Sequence, residues 1–272
     1  MTCYSCHRGS EHPKITPNLA ELYGPPMPID PDEVLEPAPG SPTADQILDR
    51  YLQAVGGAQK LAALTSFQAK GTFIGYADTD KSLVEIWAKA PAQRVTLVHT
   101  LNGDSTTTYD GRNAWSAAPQ TERPVSVLAL TGGDLEGAKL DAQLTFPAGI
   151  KQMLSAWRVG SATIDDRDVQ VVQGASATRT PVKLYFDKSS GLLLRQVRYT
   201  SSPVGLNPTQ IDYSDYREVA GVKMPFRWTV TWLDGRSTTE LTDVQPNTTI
   251  NAARFAKPSP PPPSALTRPR AR

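Results

Sequence analysis

The alternation of apolar and polar residues divides the chain into a helical start and a long β-rich region. After residue 43, apolar residues recur at the spacing of one helix face, and they are Ile47, Leu48, Tyr51, Leu52 and Val55. Ser41 or Thr43 is suited to cap this helix, and the Gly-Gly pair at 56–57 is suited to end it. A shorter helix is predicted over residues 58–64.

From residue 67 the period changes to two, which is typical of β-strands with one buried face. Short turn signals such as Asp110-Gly111 separate the strands and favour antiparallel neighbours. Strands are predicted over residues 67–76, 82–90, 94–101, 105–110, 112–117, 162–164, 169–174, 182–187, 192–200, 210–219, 223–233 and 237–244.

One or two helices are predicted between the two groups of strands, over residues 134–144 and 146–157, with the break at Pro147. The fold class is therefore mainly β with a few helices (α+β), a curved antiparallel sheet or half-barrel that helices cover. A strongly curved sheet either closes over a solid core or leaves a cavity for an apolar ligand, and the pattern alone favours neither.

Composition narrows the classes of function without selecting one. The 272 residues carry a formal net charge of +1, and 39% of them are hydrophobic. A near-neutral chain has no general attraction to nucleic acid or to anionic lipid. No run of about 18 apolar residues occurs, so no membrane-spanning helix is predicted.

Residues 1–12 carry a motif with a specific chemistry. Cys3, Cys6 and His7 form C-x-x-C-H, the attachment signature of c-type haem. Two thiols at this spacing can form thioethers with the two vinyl groups on one porphyrin edge. The adjacent imidazole then lies under the ring, where it can ligate the iron. The sequence therefore predicts haem c bound through Cys3 and Cys6, with His7 as an axial ligand.

Other interpretations of C-x-x-C-H stay open. A zinc site needs four ligands and would have to recruit His12 or the distant His99. A thioredoxin-like redox pair normally follows a strand, and none precedes Cys3. A motif this short also arises by chance. His99 itself lies on an apolar stripe and is interpreted as a hydrogen-bonded core residue.

Proline-rich segments flank the β-rich region. Residues 13–42 are predicted to be an extended linker, and residues 258–272 a disordered basic tail. Met27, within the linker, is the nearby thioether that could serve as a sixth iron ligand, although an ordinary linker methionine is the simpler interpretation. The predicted domains are thus residues 1–12, 13–42, 43–257 and 258–272.

The opening TCYSCHRG, at residues 2–9, resembles the last haem-attachment segment of the cytochrome c subunit family of photosynthetic reaction centres. This resemblance implies thioether links at Cys3 and Cys6 and iron ligation by His7. In that family the sixth ligand is usually a methionine on a helix just before the motif, a segment with no counterpart in this sequence.

A second resemblance covers residues 43–257. The segments ADQILDRYLQAVGG, KLYFDKSSGLLLR and PTQIDYSDYREVAGVKMPF resemble domains with the pattern of outer-membrane lipoprotein carriers. Those carriers fold as a half-barrel of antiparallel strands, closed by helices, that binds acyl chains. The resemblance therefore implies a cavity and a lipid or acyl ligand.

The main functional hypothesis is an exported, c-type cytochrome-like electron-transfer protein with a redox partner protein. Its expected location is the periplasm or the periplasmic face of a bacterial membrane. Haem is attached after export, yet no export signal precedes Cys3. The true start is therefore expected upstream, or the sequence is expected to be a fragment of a longer protein. The alternative hypothesis is a periplasmic lipid or lipoprotein carrier module with a vestigial or truncated haem motif. An enzyme is the least favoured, because no residue set forms a catalytic constellation.

Overall fold

The computed structural model describes residues 39–76, 80–119, 125–176, 179–202 and 205–261. Its α-helices are α1 (Ala44–Ala54), α2 (Gly57–Ala63), α3 (Gly132–Thr145) and α4 (Ile150–Met153), with 3-10 turns at Pro147–Gly149 and Ala252–Phe255. Its strands are β1 (Ser66–Ile74), β2 (Ser82–Lys89), β3 (Gln93–Thr100), β4 (Gly103–Tyr109), β5 (Ala114–Ala117), β6 (Val127–Ala129), β7 (Ser155–Ile164), β8 (Arg167–Ala175), β9 (Pro181–Asp187), β10 (Leu193–Ser202), β11 (Gly205–Val219), β12 (Val222–Trp232) and β13 (Gly235–Pro246).

All thirteen of these strands form one curved antiparallel sheet. Its order is β6-β5-β4-β3-β2-β1-β13-β12-β11-β10-β9-β8-β7, so two meanders meet where β1 pairs with β13. The two edge strands, β6 and β7, are consecutive along the chain. The segment between them, which contains α3 and α4, therefore has to cross from one edge of the sheet to the other. This crossing makes the sheet a half-barrel closed by helices, and it confirms the predicted fold class.

A β-bulge lies where the two meanders meet. The register between β1 and β13 shifts between Lys70 and Gly71. A Cβ atom at position 71 would lie 2.0 Å from the backbone oxygen of Glu240, so only glycine lets the two strands approach this closely. Bulges bend a strand and increase its twist, which favours the curvature of a half-barrel.

Helix α1 packs tightly against the β7–β9 end of the sheet. Its start carries a capping box, in which Thr43 and Gln46 exchange side-chain-to-backbone hydrogen bonds. Its apolar face joins strand residues that are almost fully buried, and the Tyr51 and Phe186 rings lie 5.1 Å apart between centroids. We call this part the filled region, and its central side chains are Leu48, Val172, Leu184 and Phe186.

The structure differs from the sequence-based prediction in one helix, one strand and the position of one side chain. The helix predicted over residues 146–157 ends at Met153, because Ala156 has a φ of 53° and β7 begins at Ser155. Strand β6 was not predicted, since it has only three residues. His99 is hydrogen-bonded to Asp104 at 2.8 Å, as predicted. Its side chain is 38% exposed, however, so the prediction that it is a core residue is wrong.

The end of the fold lies on the other face of the sheet. Phe255 is buried against Trp87 and Val95, and the Arg254 guanidinium lies 4.1 Å from the centre of the Trp87 ring. No helix in the described part of the chain is long and apolar enough to cross a membrane.

Candidate functional site

A cavity of about 310 Å³ lies between helix α3, helix α1 and the central strands of the sheet. Helix α3 contacts β10 on one side and β3, β4 and β5 on the other, so it bridges the two meanders and leaves space beneath it. We call this part of the molecule the hollow region. Ligand pockets in proteins commonly occupy about 300–1,000 Å³, so this cavity is at the lower end of that range.

Most of the cavity wall is apolar. Six strands and the turns beside them provide side chains that point inward, and these are Leu64, Phe67, Phe73, Ile86, Leu193, Ile211, Val222, Met224, Pro225, Trp228, Val230 and Leu241. Trp228 and Val230 alternate with Arg227 and Thr229 on β12, and both line the cavity. An alkyl chain or another apolar group can be buried against such a wall.

One face of α3 forms the lid of the cavity. Ala138, Asp141 and Thr145 recur at helical spacing and line it, together with Leu144. On its other side the helix lies very close to β10, because a Cβ atom at Gly137 would be only 2.8 Å from the Arg198 guanidinium. The glycine weakens the helix by about 1 kcal/mol relative to alanine, but it lets Arg198 reach under α3.

A polar network runs from this lid into the sheet. The Asp141 carboxylate accepts a 2.6 Å hydrogen bond from Arg198 and a 3.5 Å hydrogen bond from the side-chain amide of Gln196, which is fully buried. The Tyr213 hydroxyl in turn donates to Gln196 Oε1 at 3.1 Å. Burial raises the pKa of Tyr213, and the nearby Asp141 carboxylate raises this pKa further, so the phenol stays protonated.

Arg94 brings a positive charge into the cavity wall. It lies on β3, and Nη1 donates a 2.9 Å hydrogen bond to the Thr145 hydroxyl on α3. Its guanidinium carbon is 5.6 Å from the centre of the Trp228 ring. Burial lowers the pKa of Arg94, whereas the Asp141 carboxylate opposes this effect. The site is therefore apolar over most of its surface, and β3 contributes a cation to it.

Two further tyrosines line the cavity on the side of α1. The Tyr216 hydroxyl donates a 2.6 Å hydrogen bond to the backbone oxygen of Leu193. Burial raises the pKa of both Tyr51 and Tyr216, so both rings act as neutral wall residues with polar tips. Together the polar groups and the apolar wall suit an amphiphilic ligand.

The residues predicted to bind haem belong to the N-terminal part of the sequence. Cys3, Cys6, His7 and Met27 all lie outside the described residues, so haem attachment and iron ligation by them stay predictions. Within the described ranges, no group of three or more His, Cys, Asp or Glu side chains is placed to hold a metal ion.

Sequence reasoning missed the charged residues of the cavity. Arg94 begins a predicted strand, and Asp141 is in a predicted helix, where both are ordinary surface residue types. Arg94 lies on the same face of the sheet as buried Phe67 and Ile86, which would have marked it as a cavity residue. This can be seen only when the register of the strands is known, and the sequence alone does not give that register.

The fold is similar to that of two solved structures. A LolA superfamily protein from Nitrosomonas europaea is 18% identical, with a TM-score of 0.51, and the match covers 80% of this chain and 99% of that protein. A DUF1329 family protein from Desulfovibrio piger is 10% identical, with a TM-score of 0.54, and the match covers 79% of this chain and 98% of that protein. No family model and no curated protein matches the chain.

The main functional hypothesis, a c-type cytochrome-like electron-transfer protein related to the photosynthetic family, is wrong. The described residues form a half-barrel with an apolar cavity, and both solved structures share this fold over almost their whole length. These findings agree with the alternative hypothesis, a carrier module. The error arose because a motif of five residues was used to assign a function to a chain of 272 residues.

Proposed function

We propose that residues 43–257 form a carrier module that binds lipid or another long-chain apolar ligand in the periplasm. The observation that supports this proposal most directly is the cavity of about 310 Å³ with its mostly apolar wall. A long hydrocarbon chain gains about 0.8 kcal/mol for each CH₂ group that it buries, so such a wall favours chains over compact polar molecules.

The construction of the lid also supports a carrier. Helix α3 contacts both meanders of the sheet but encloses a cavity rather than filling it. The likeness to the LolA superfamily fold agrees with this proposal, as does the resemblance of residues 43–257 to outer-membrane lipoprotein carriers. That resemblance is the reason for proposing the periplasm.

The proposal is tested by identifying what the purified protein carries. The full chain is expressed with an export signal, purified without detergent and examined by native mass spectrometry, followed by lipid extraction. We expect an acyl-chain compound bound to the protein in a one-to-one complex. Ala138→Phe places a ring beneath α3, so we expect this variant to lose the bound compound.

Ala58→Phe is the matched control, because Ala58 is exposed on α2 and does not line the cavity. It makes the same change of size on a helix and should keep the bound compound. A protein that folds, yet binds no chain compound either as purified or after incubation with dodecanol, contradicts the carrier proposal. Equal binding by Ala138→Phe and Ala58→Phe contradicts the assignment of the cavity as the site.

A further inference from the structure

We propose that Arg94 is the counter-ion for the acidic head group of the ligand, so that the cavity takes a single-chain carboxylic acid rather than a neutral lipid. This inference rests on the proposed carrier function and adds the chemical class of the ligand. It arises from the charge balance of the cavity, from the hydroxyl groups around Arg94 and from the size of the cavity.

Arg94 has no carboxylate partner in the described part of the chain. Its hydrogen bond is to the neutral hydroxyl of Thr145, at 2.9 Å, and its guanidinium also lies over the Trp228 ring. A guanidinium carries five N–H donors and is always charged. Since burial without an anion disfavours a cation, this group is poised to accept an anionic oxygen pair.

Asp141 acts on Arg94 through space, but within the described residues its carboxylate forms its direct ion pair with a second arginine, Arg198. Its carboxylate forms an ion pair with Arg198 at 2.6 Å and a hydrogen bond with Gln196. The charged side chains that line the cavity are Arg94, Asp141 and Lys223, and Arg198 lies directly behind Asp141. The cavity wall and its immediate support therefore carry an excess of positive charge.

Hydroxyl groups lie next to Arg94 on the same face of the sheet. Thr96 follows it by two residues on β3, and Thr107 and Tyr109 lie on the neighbouring strand β4. In the strand register, Arg94 pairs with Tyr109 and Thr96 pairs with Thr107. The Tyr109 hydroxyl donates to the backbone oxygen of Gly111 at 3.0 Å. The hydroxyls of Thr96 and Thr107 are therefore the ones from which a carboxylate held by the guanidinium fork can accept further hydrogen bonds.

The remainder of the cavity suits one hydrocarbon chain. From Arg94 the wall continues over Trp228 to Leu193, Val222 and Leu241, which offer no charge. The volume of about 310 Å³ is at the lower limit for ligand pockets, and it favours a single chain over the two chains of a phospholipid. A planar guanidinium fork matches a carboxylate in a bidentate geometry.

The test compares three ligands with the same twelve-carbon chain: dodecanoate, 1-dodecanol and dodecyl phosphate. Their affinities for the full-length protein are measured by isothermal titration calorimetry at neutral pH and low salt. We expect dodecanoate to bind at least about tenfold more tightly than dodecanol, which is the scale of a buried charge pair. Arg94→Met should abolish this preference and retain dodecanol binding, and Arg94→Lys should keep part of it.

Arg254→Met is the matched control, because Arg254 also lies over a tryptophan ring but is outside the cavity. It should keep the preference for the acid. Equal binding of dodecanoate and dodecanol by the wild-type protein, or an unchanged preference in Arg94→Met, would overturn the role of Arg94 while leaving the carrier function intact. Tighter binding of dodecyl phosphate than of dodecanoate would overturn the choice of a carboxylate. No binding of any of the three would contradict the carrier function itself.

Discussion

The filled and hollow regions are parts of one sheet, yet they differ in how a helix covers them. In the filled region, Leu48 on α1 meets Val172 and Leu184, and each of these three side chains is 0% exposed. In the hollow region, α3 spans the two meanders and leaves about 310 Å³ unfilled. The difference lies in the helices, because α1 carries large apolar residues on its inner face whereas α3 presents Ala138, Asp141 and Thr145.

This difference indicates that one region of the fold provides stability and the other provides space for a ligand. Close packing stabilises a domain, and each lost contact in it costs free energy. A cavity forgoes that stability, so the rest of the molecule has to provide it. We interpret the filled region as the source of rigidity that allows the hollow region to stay open for a ligand. Mutations of the same kind should therefore have different effects in the two regions.

The largest contrast is expected for truncation of an aromatic residue. Phe186 is 1% exposed and packs against Tyr51, so Phe186→Ala should lower the free energy of unfolding by about 3–5 kcal/mol. Trp228 is half-buried and faces the cavity, so Trp228→Ala should cost about 1–2 kcal/mol. Urea unfolding followed by circular dichroism measures both values. Equal losses would mean that the two regions are packed alike.

A second contrast is expected for enlargement of a valine. Val172 is fully buried in the filled region, so Val172→Phe overpacks the core and should cost about 1–3 kcal/mol or more. Val230 lines the cavity, where space for a ring exists. Val230→Phe should therefore change the unfolding free energy by less than about 1 kcal/mol. It should also displace a bound chain. A larger destabilisation by Val230→Phe than by Val172→Phe would contradict the contrast.

Much of the fold could be predicted from the sequence, because its signals are local. Period-two alternation predicted twelve strands, and the cap, stripe and glycine pair predicted α1 and α2 near their observed bounds. Trp157 was misplaced because the spacing of Ile150, Met153, Leu154 and Trp157 fits a helix equally well. The observed strand depends on pairing with β8, which is information from distant residues.

The candidate site could not be predicted in the same way. Whether a sheet and a helix enclose a cavity depends on the distance between them. The pattern of apolar and polar residues along the sequence does not predict this distance. Arg94 and Asp141 both line the cavity, but they come from a strand and a helix that are far apart in sequence. By contrast, Cys3, Cys6 and His7 are adjacent and easy to recognise, which is why they dominated the functional hypothesis.

The pH dependence of stability offers a third test, confined to the filled region. Asp187 ends β9 and is buried; burial alone would raise its pKa, but hydrogen bonds from Ser190 and Ser189 outweigh this and lower the pKa to about 2. The same turn receives a hydrogen bond from Arg50 of α1 through the Ser189 backbone oxygen. The carboxylate therefore supports the contact between α1 and the sheet.

A lowered pKa stabilises the fold above the unfolded-state value and loses this effect as the pH falls towards the folded-state value. We expect Asp187 to contribute on the order of 1–2 kcal/mol at neutral pH, and to lose it between about pH 5 and pH 2. Urea unfolding of the wild type and of Asp187→Asn over this range measures the effect. The two curves should converge in acid, and a constant difference at every pH would contradict the assignment.

The smallest contrast is expected at the starts of the two helices. Thr43 caps α1 through its side-chain oxygen, which accepts from the Gln46 N–H, whereas the Thr131 side chain makes no capping hydrogen bond at the start of α3. Thr43→Ala should therefore cost about 1 kcal/mol, and Thr131→Ala should cost close to nothing. Thermal and urea unfolding of this matched pair measure both. If Thr131→Ala proved as costly as Thr43→Ala, the start of α3 would contribute as much to stability as the start of α1. The two helices would then not differ at their starts, and the contrast between the filled and hollow regions would have to lie in their inner faces alone.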